Sequence, residues 1–216
     1  MNLLHLEASP GWGGQEMRIL REAEGMRARG YQVFFAVMRT GALATHARNS
    51  GFIVYELNFH RLGWALSLLR LIWILRKHKI ALVNTHSSLD AWIGGIAARI
   101  AGKKLLRTRH LSTPVKPGWN SRLVYGTLAD FVVTTCASII APLSAQSGKP
   151  LQLFQSIATG VDPAHIQASP EQAAAFRQSI GVDNNTFLVG TACFMRSWKG
   201  IEVFYALRNS SATFNT

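Results

Sequence analysis

Acidic residues and cysteines are both scarce in this chain of 216 residues. Eleven Asp and Glu stand against 23 Lys and Arg, which leaves a formal charge of +12 at pH 7. A field of that sign attracts anionic polymers, anionic membranes or phosphorylated small molecules. The only cysteines are Cys136 and Cys193. Each lies in or beside an apolar run, and neither has a CxxC partner or a histidine at metal-ligand spacing. This usage fits a reducing cytoplasm and argues against a thiolate metal site. A basic leader is missing too: in MNLLHLEASPG the short apolar run is interrupted by His5 and Glu7, so no export signal is expected.

No apolar run is long enough to span a bilayer. The most apolar stretch, LGWALSLLRLIWILRKHKI, is broken by Arg70 and falls short of the ~20 apolar residues a span requires. It reads as a helix packed on a sheet. A peripheral membrane contact is the alternative, with Trp64 and Trp73 near the interface and the basic end on lipid headgroups. Other absences narrow the chemistry. HxxxH and HExxH spacings do not occur, so metal ligation is not expected, and without a G-x-S-x-G elbow a Ser-His-Asp triad is unsupported. The basic residues fall in three groups: Arg18, Arg21, Arg27 and Arg29; Arg76, Lys77 and Lys79; and five from Arg99 to Arg109. With no nucleic-acid motif beside them, they read as a solvated face or a contact with anionic lipid rather than a nucleic-acid surface.

Hydrophobic residues make up 48% of the chain, and their arrangement is regular. Short apolar runs alternate with segments of helical period: NLLHLE and Gln15 to Gly30, YQVFFAV and a short helix to Asn49, FIVYEL and Leu62 to His78. The series goes on through IALVNTH with Leu89 to Ala101, KLLRTRH with a helix near Arg122 to Ala129, then DFVVTT and LQLFQSI. Runs buried on both faces and separated by helices predict a doubly wound, mostly parallel Rossmann-like α/β sheet. Gly30, Gly51 and Gly102 stand where helices should end. After SIATGVD the character changes. Ser169 and Pro170 open a polar helix to Ile180, and TFLVGTAC predicts a fresh strand. We expect one domain over 1–168, with 169–216 a linker and the start of an incomplete second domain. The last 34 or so residues are below the ~40 at which chains without disulfides or metals usually fold alone.

Ligands of a parallel α/β sheet bind beyond the carboxyl ends of its strands, so the loops that follow each run are the candidates. The first is SPGWGGQE. Its Gly11, Gly13 and Gly14 allow close backbone approach before a helix N-terminus, though such a turn is as often tight packing. Position 16 is Glu, where a dinucleotide fingerprint wants Gly, and no acid follows the second strand, which argues against NAD. NTHSSLDAW and RTRHLSTP place His86 and His110 at matching strand ends. One such histidine reads as structural; two facing one cleft point toward function. In RSWKG, Arg196 and Lys199 read either as a phosphate grip or as an ordinary charged loop.

The order of these motifs, GWGGQE, NTHSSLDAW, RTRHLSTP, VVTT, SIATGVD and VGTACFMRSWKG, resembles the retaining family 4 glycosyltransferases of the GT-B fold. It is similar in particular to bacterial members that build lipopolysaccharide or other cell-surface glycans, and the likeness runs to about Val203. The resemblance implies a nucleotide-diphosphate sugar as donor, a glycan or lipid-linked acceptor, and no metal or other cofactor. It further implies that Gly13 and Gly14, with Glu16 and His86 nearby, approach the substrates. His110 would lie beside the reacting sugar, and Arg196 and Lys199 would hold the departing diphosphate, where fixed cations stabilise developing charge. The expected location is the cytoplasm, at the inner face of the membrane if the basic helix ends meet anionic lipid.

Two departures stand out. Ala158 replaces a common proline, and YALRNSSATFNT does not continue in the family's manner. The family's Glu-containing donor motif is absent, so the expectation is a truncated enzyme that does not turn over unaided. The alternative is a noncatalytic basic module for an acidic glycan or membrane surface.

Overall fold

The computed structural model describes residues 1–60, 63–161, 163, 166–193 and 199–209. It forms two compact units, Met1–Gly160 and Val161–Thr216. The first unit holds seven strands: β1 (Asn2–Glu7), β2 (Gln32–Met38), β3 (Ile53–Leu57), β4 (Leu82–Thr85), β5 (Lys104–Arg109), β6 (Phe131–Thr134) and β7 (Phe154–Ser156). Every adjacent pair is parallel, in the order β3-β2-β1-β4-β5-β6-β7. Parallel neighbours cannot be joined by tight turns, so helices carry the crossovers. These are α1 (Gly14–Ala28), α2 (Ala42–Asn49), α3 (Trp64–Lys77), α4 (Ser88–Ala101), α5 (Trp119–Ser121) and α6 (Ile140–Ser147).

Because helices cover both faces, there are two cores. Leu4, Leu6, Val83, Ile93 and Leu105 belong to the larger, which includes residues of α3, α4 and α6. Leu3, Phe35, Ile19, Leu43 and Phe52 belong to the other, with α1 and α2. Adjacent residues Leu3 and Leu4 thus face opposite cores, as the twofold pleat requires. Each fully buried Leu or Phe contributes about 1.5–3 kcal/mol. α4 comes unusually close to the sheet at Gly94, where a Cβ would lie 2.6 Å from a methyl of Leu6 and 2.7 Å from that of Thr85.

Four expectations need correction. The helix foreseen near Arg122 to Ala129 is a π-helical segment, Arg122–Leu128, entered from α5. Gly126 packs here so closely that a Cβ would stand 2.5 Å from the Ser147 carbonyl oxygen. LQLFQSI is mostly not strand; Leu151–Leu153 forms a 3₁₀ turn before the three residues of β7. Of the two tryptophans foreseen at a membrane interface, Trp64 packs against the larger core and Trp73 is exposed. Finally, 186–193 forms no strand. A strand exists only through ladder hydrogen bonds to a neighbour, and among its described residues the second unit has none to offer.

That second unit contains α7 (Pro170–Ser179) and α8 (Ile201–Asn209). Ser169 caps α7 by accepting from Gln172 N–H, and Pro170 fits the first turn, as the sequence predicts. Arg177 then donates to the carbonyls of Asp183 and Thr186, tying the following turn back to α7.

Candidate functional site

Strand order places a crevice between β1 and β4. The chain winds outward from β1 to β2 and β3, then returns to β4 on the other side, so the loops leaving β1 and β4 diverge. Glu7 ends β1 and is fully buried. One of its carboxylate oxygens accepts from Ser9 N–H at 2.7 Å and the other from Gln15 Nε2 at 2.5 Å, so it shapes the loop that leads into α1. Ser9 Oγ accepts from Gly11 N–H, and Glu16 accepts from Gly13 N–H at 2.8 Å. Glu16 therefore caps its own helix, and its buried side chain is committed to that contact. Neither Gly11 nor Gly14 has a positive φ, and a Cβ on Gly14 would meet nothing within 4 Å. Glycine at 14 is required by neither backbone nor packing, so the space above it stays open.

Beyond β4 and β5 lie the predicted histidines, joined by a third. His86 Nδ1 is 2.9 Å from His110 Nε2, and His86 Nε2 is 2.9 Å from His5 Nδ1. The register His5↔Asn84 sets the ring of β1 two residues below His86, where His5 and His86 stack with centroids 5.2 Å apart. His5 and His86 are buried, while His110 is half-buried and forms the outer end. Burial pushes the His5 imidazole down to about 4. It pushes His110 to about 3, with Arg18 and Arg107 adding repulsion, and holds His86 well below the usual histidine range. All three rings are neutral at physiological pH.

A buried charged group adjoins them. Asp90 accepts from Ser87 N–H at 2.9 Å and caps α4, and its Oδ1 stands 3.8 Å from Arg107 Nη1. Burial first, and Glu7 next, raise the Asp90 carboxyl well above its ordinary value, against the pull of Arg107. Burial likewise raises Glu7. A cavity of about 310 Å³ opens beside β5, lined by Trp92, Arg107, Arg109, Lys116 and Tyr125 among others.

The structure thus brings together Gly13, Gly14, Glu16, His86 and His110 at the carboxyl edge of one sheet. Both ring nitrogens of His86 are taken by its histidine neighbours. Lys199 is exposed in the second unit, and Arg196 lies outside the described residues. Sequence reasoning passed over His5, Glu7, Asp90 and Arg107. The signal was present in β1 and β5, where a histidine or a charged residue interrupts a run otherwise buried on both faces. Among the described residues no cluster of three or more His, Cys, Asp or Glu is arranged to hold a metal ion.

No curated protein sequence matches. Among solved structures, the Anabaena protein HepE in complex with UDP superposes with a TM-score of 0.78 at 24% identity, covering 97% of this chain and 58% of that one. A glycosyltransferase from Rickettsia africae ESF-5 gives 0.79 at 19% identity, with 96% and 57% covered. A lipopolysaccharide outer core galactosyltransferase, WaaB in its apo form, gives 0.55 at 14% identity, with 75% and 46% covered. The chain therefore spans somewhat over half the length of the first two, and these likenesses are of fold. The model of Glycosyltransferase Family 4 matches residues 12–165, most of the first unit with its glycine loop, His86 and His110, and the chain belongs to that family.

Proposed function

We propose that this chain supplies the acceptor side of a glycosyltransferase that moves a sugar from a nucleotide-diphosphate donor to a cell-surface glycan or lipid-linked acceptor. The observation that carries this reading is an open glycine loop after β1 and a neutral histidine after β5 at the same carboxyl edge of the sheet, in a chain of this family. HepE, of the same fold, was solved with UDP and with UDP-glucose, which supports a uridine diphosphate sugar as donor. Gly13 and Gly14 let a sugar or phosphate approach the backbone, and His110 offers one hydrogen bond without adding charge. Arg196 and Lys199 hold the leaving diphosphate, whose negative charge grows as the sugar–phosphate bond breaks. The Arg107–Arg109–Lys116 cavity suits an acidic or phosphorylated group on the acceptor. No step needs a metal or a cofactor.

These residues by themselves turn over no sugar: Lys199 is exposed in a unit of helices, and a cation on so slight a platform stabilises little developing charge. A panel of nucleotide sugars with a lipid-linked acceptor extract, read by mass spectrometry, tests this beside chemical-shift titration with UDP-glucose. We expect weak shifts at Gly13, Gly14 and His110 and no product. Product lost in His110→Ala would sustain the reaction and refute the inactivity. Silence at the glycine loop and His110 with every donor and acceptor would reject the reading.

A second reading concerns the membrane. No helix among the described residues is long and apolar enough to cross one. However, α3 exposes Leu66, Leu69 and Trp73 in a stripe flanked by Arg70 and Lys77, with the Lys77 ammonium 4.4 Å from the Trp73 ring. That stripe suits a peripheral contact with anionic lipid at the inner membrane face, in the cytoplasm, whether the chain acts in transfer or as a basic binding module. Sedimentation with phosphatidylglycerol vesicles should weaken as salt rises, because the attraction is screened over ~10 Å at 0.1 M. Binding indifferent to salt and lipid charge would remove this reading.

A further inference from the structure

Three histidines joined end to end leave few places for their protons. A neutral imidazole carries one N–H donor and one lone-pair acceptor. Two hydrogen bonds link His5 Nδ1 to His86 Nε2 and His86 Nδ1 to His110 Nε2. Placing the proton on one ring therefore sets the other two, and only two arrangements exist. In the first, every ring carries its proton on Nδ1: His5 donates to His86, His86 donates to His110, and His110 Nδ1–H faces outward. In the second, every proton is on Nε2, the chain runs inward, and His110 Nδ1 faces outward as a bare lone pair.

The inner end decides between them. His5 Nε2 is buried and has no hydrogen-bond partner among the described residues. The first arrangement leaves a lone pair there; the second leaves an N–H. Unpaired buried N–H groups are the rarer defect, because the donor loses water and gains nothing. Phe35 stacks on the His5 ring at 5.5 Å, and the Phe35 side chain has no acceptor atom to offer. The buried end also gives a proton no exit, so the chain is a lock and not a wire.

We propose that His5 and His86 are positioning residues that hold His110 as its neutral Nδ1–H tautomer. So held, His110 presents a hydrogen-bond donor, and no base, to an oxygen-bearing ligand at the carboxyl edge of the sheet. The surroundings agree with neutrality: Arg18 and Arg107 both disfavour a further positive charge on His86 and His110. That the ligand oxygen belongs to a sugar or its diphosphate rests on the function proposed above; the tautomer does not.

The lock can be read without any sugar. Long-range proton–nitrogen correlation on histidine-labelled protein distinguishes the protonated nitrogen of each ring, with assignments from single-histidine variants. We expect His5, His86 and His110 all to carry the proton on Nδ1, with a preference above about tenfold, since the alternative buries an unpaired donor. In His5→Asp a carboxylate that can only accept stands where the Nδ1 donor stood, and His86 and His110 should both move their protons to Nε2. In His5→Asn the amide N–H can replace the Nδ1 donor, and the wild-type pattern should be kept, a contrast that a loss of packing alone would not produce. A proton on Nε2 of His110 in the wild type, or a His110 pattern unmoved by His5→Asp, overturns the proposal. Should His5→Asp fail to fold, the wild type and His5→Asn still decide it. A lock confirmed in a protein that shows no shift with any nucleotide sugar would count against the proposed function and leave this inference standing.

Discussion

FFAV at 34–37 and FLVG at 187–190 are similar apolar stretches with opposite fates. Phe35 lies in β2, hydrogen-bonded between β1 and β3, and is fully buried. Phe187 lies in the second unit, in no strand, and is 90% exposed. Their intrinsic preferences are alike. The difference is that β2 has parallel neighbours on both edges and helices on both faces, while 187–190 has no strand among the described residues of its unit to pair with. An apolar run is an offer of burial that only a partner can complete.

The sharpest way to break this comparison is to truncate both side chains. Phe35→Ala should cost about 3–5 kcal/mol in urea unfolding, whereas Phe187→Ala should stay within about 0.5 kcal/mol. Equal losses would mean that Phe187 is buried in solution.

Acid should come next. The unfolded histidine value is 6.5, and His5 in the folded chain is at about 4. Between those values the unfolded state binds more protons, so stability is full above pH 6.5 and falls as pH drops toward 4, by up to about 3 kcal/mol per such group. Glu7 and Asp90, raised by burial, act in the opposite sense and gain stability on acidification. The cleanest reading is therefore a difference: the loss between pH 6.5 and 4 should be shallower in His5→Phe than in wild type. An identical slope would show that His5 is solvated. The second unit has no buried histidine among its described residues, so Phe187→Ala should leave the slope unchanged.

Glycine gives a smaller contrast. Gly126→Ala would push a Cβ to 2.5 Å from a backbone carbonyl that cannot rotate away, and should cost about 1–3 kcal/mol. A Cβ on Gly190 meets nothing within 4 Å, so Gly190→Ala should be neutral. The most local loss should be that of Ser169→Ala, which removes the cap of α7. About 1 kcal/mol of local helix stability should be lost, seen as faster amide exchange in α7, with the unfolding midpoint of the first unit unmoved. A shifted midpoint would show that the two units unfold together.

Much of the first unit was legible because its signals are local. The runs that became β1, β2 and β4 to β6 are largely buried on both faces, β3 at the sheet edge less so, and Gly30, Gly51 and Gly102 do take positive φ at helix ends. The polar helix opened by Ser169 and Pro170 was legible for the same reason. The π-helical segment was not; it lies where Gly126 packs against Ser147, 21 residues on in the chain, a contact no local pattern shows. His86 and His110 could be placed at strand ends from sequence, but their hydrogen bond could not.

What the sequence determined by itself is most of the strands and helices of the first unit, their alternation, and hence a parallel sheet whose loops gather at one edge, because periodicity, caps and crossover lengths are properties of neighbouring residues. Register and burial were left to the tertiary structure. Only the pairing of β1 with β4 brings His5 beneath His86, and only the pairing of β4 with β5 carries His110 onto its other nitrogen. A hydrogen bond between residues 81 apart depends on a distance that no local pattern encodes, and the neutral state of all three rings depends on the water that the packed sheet excludes.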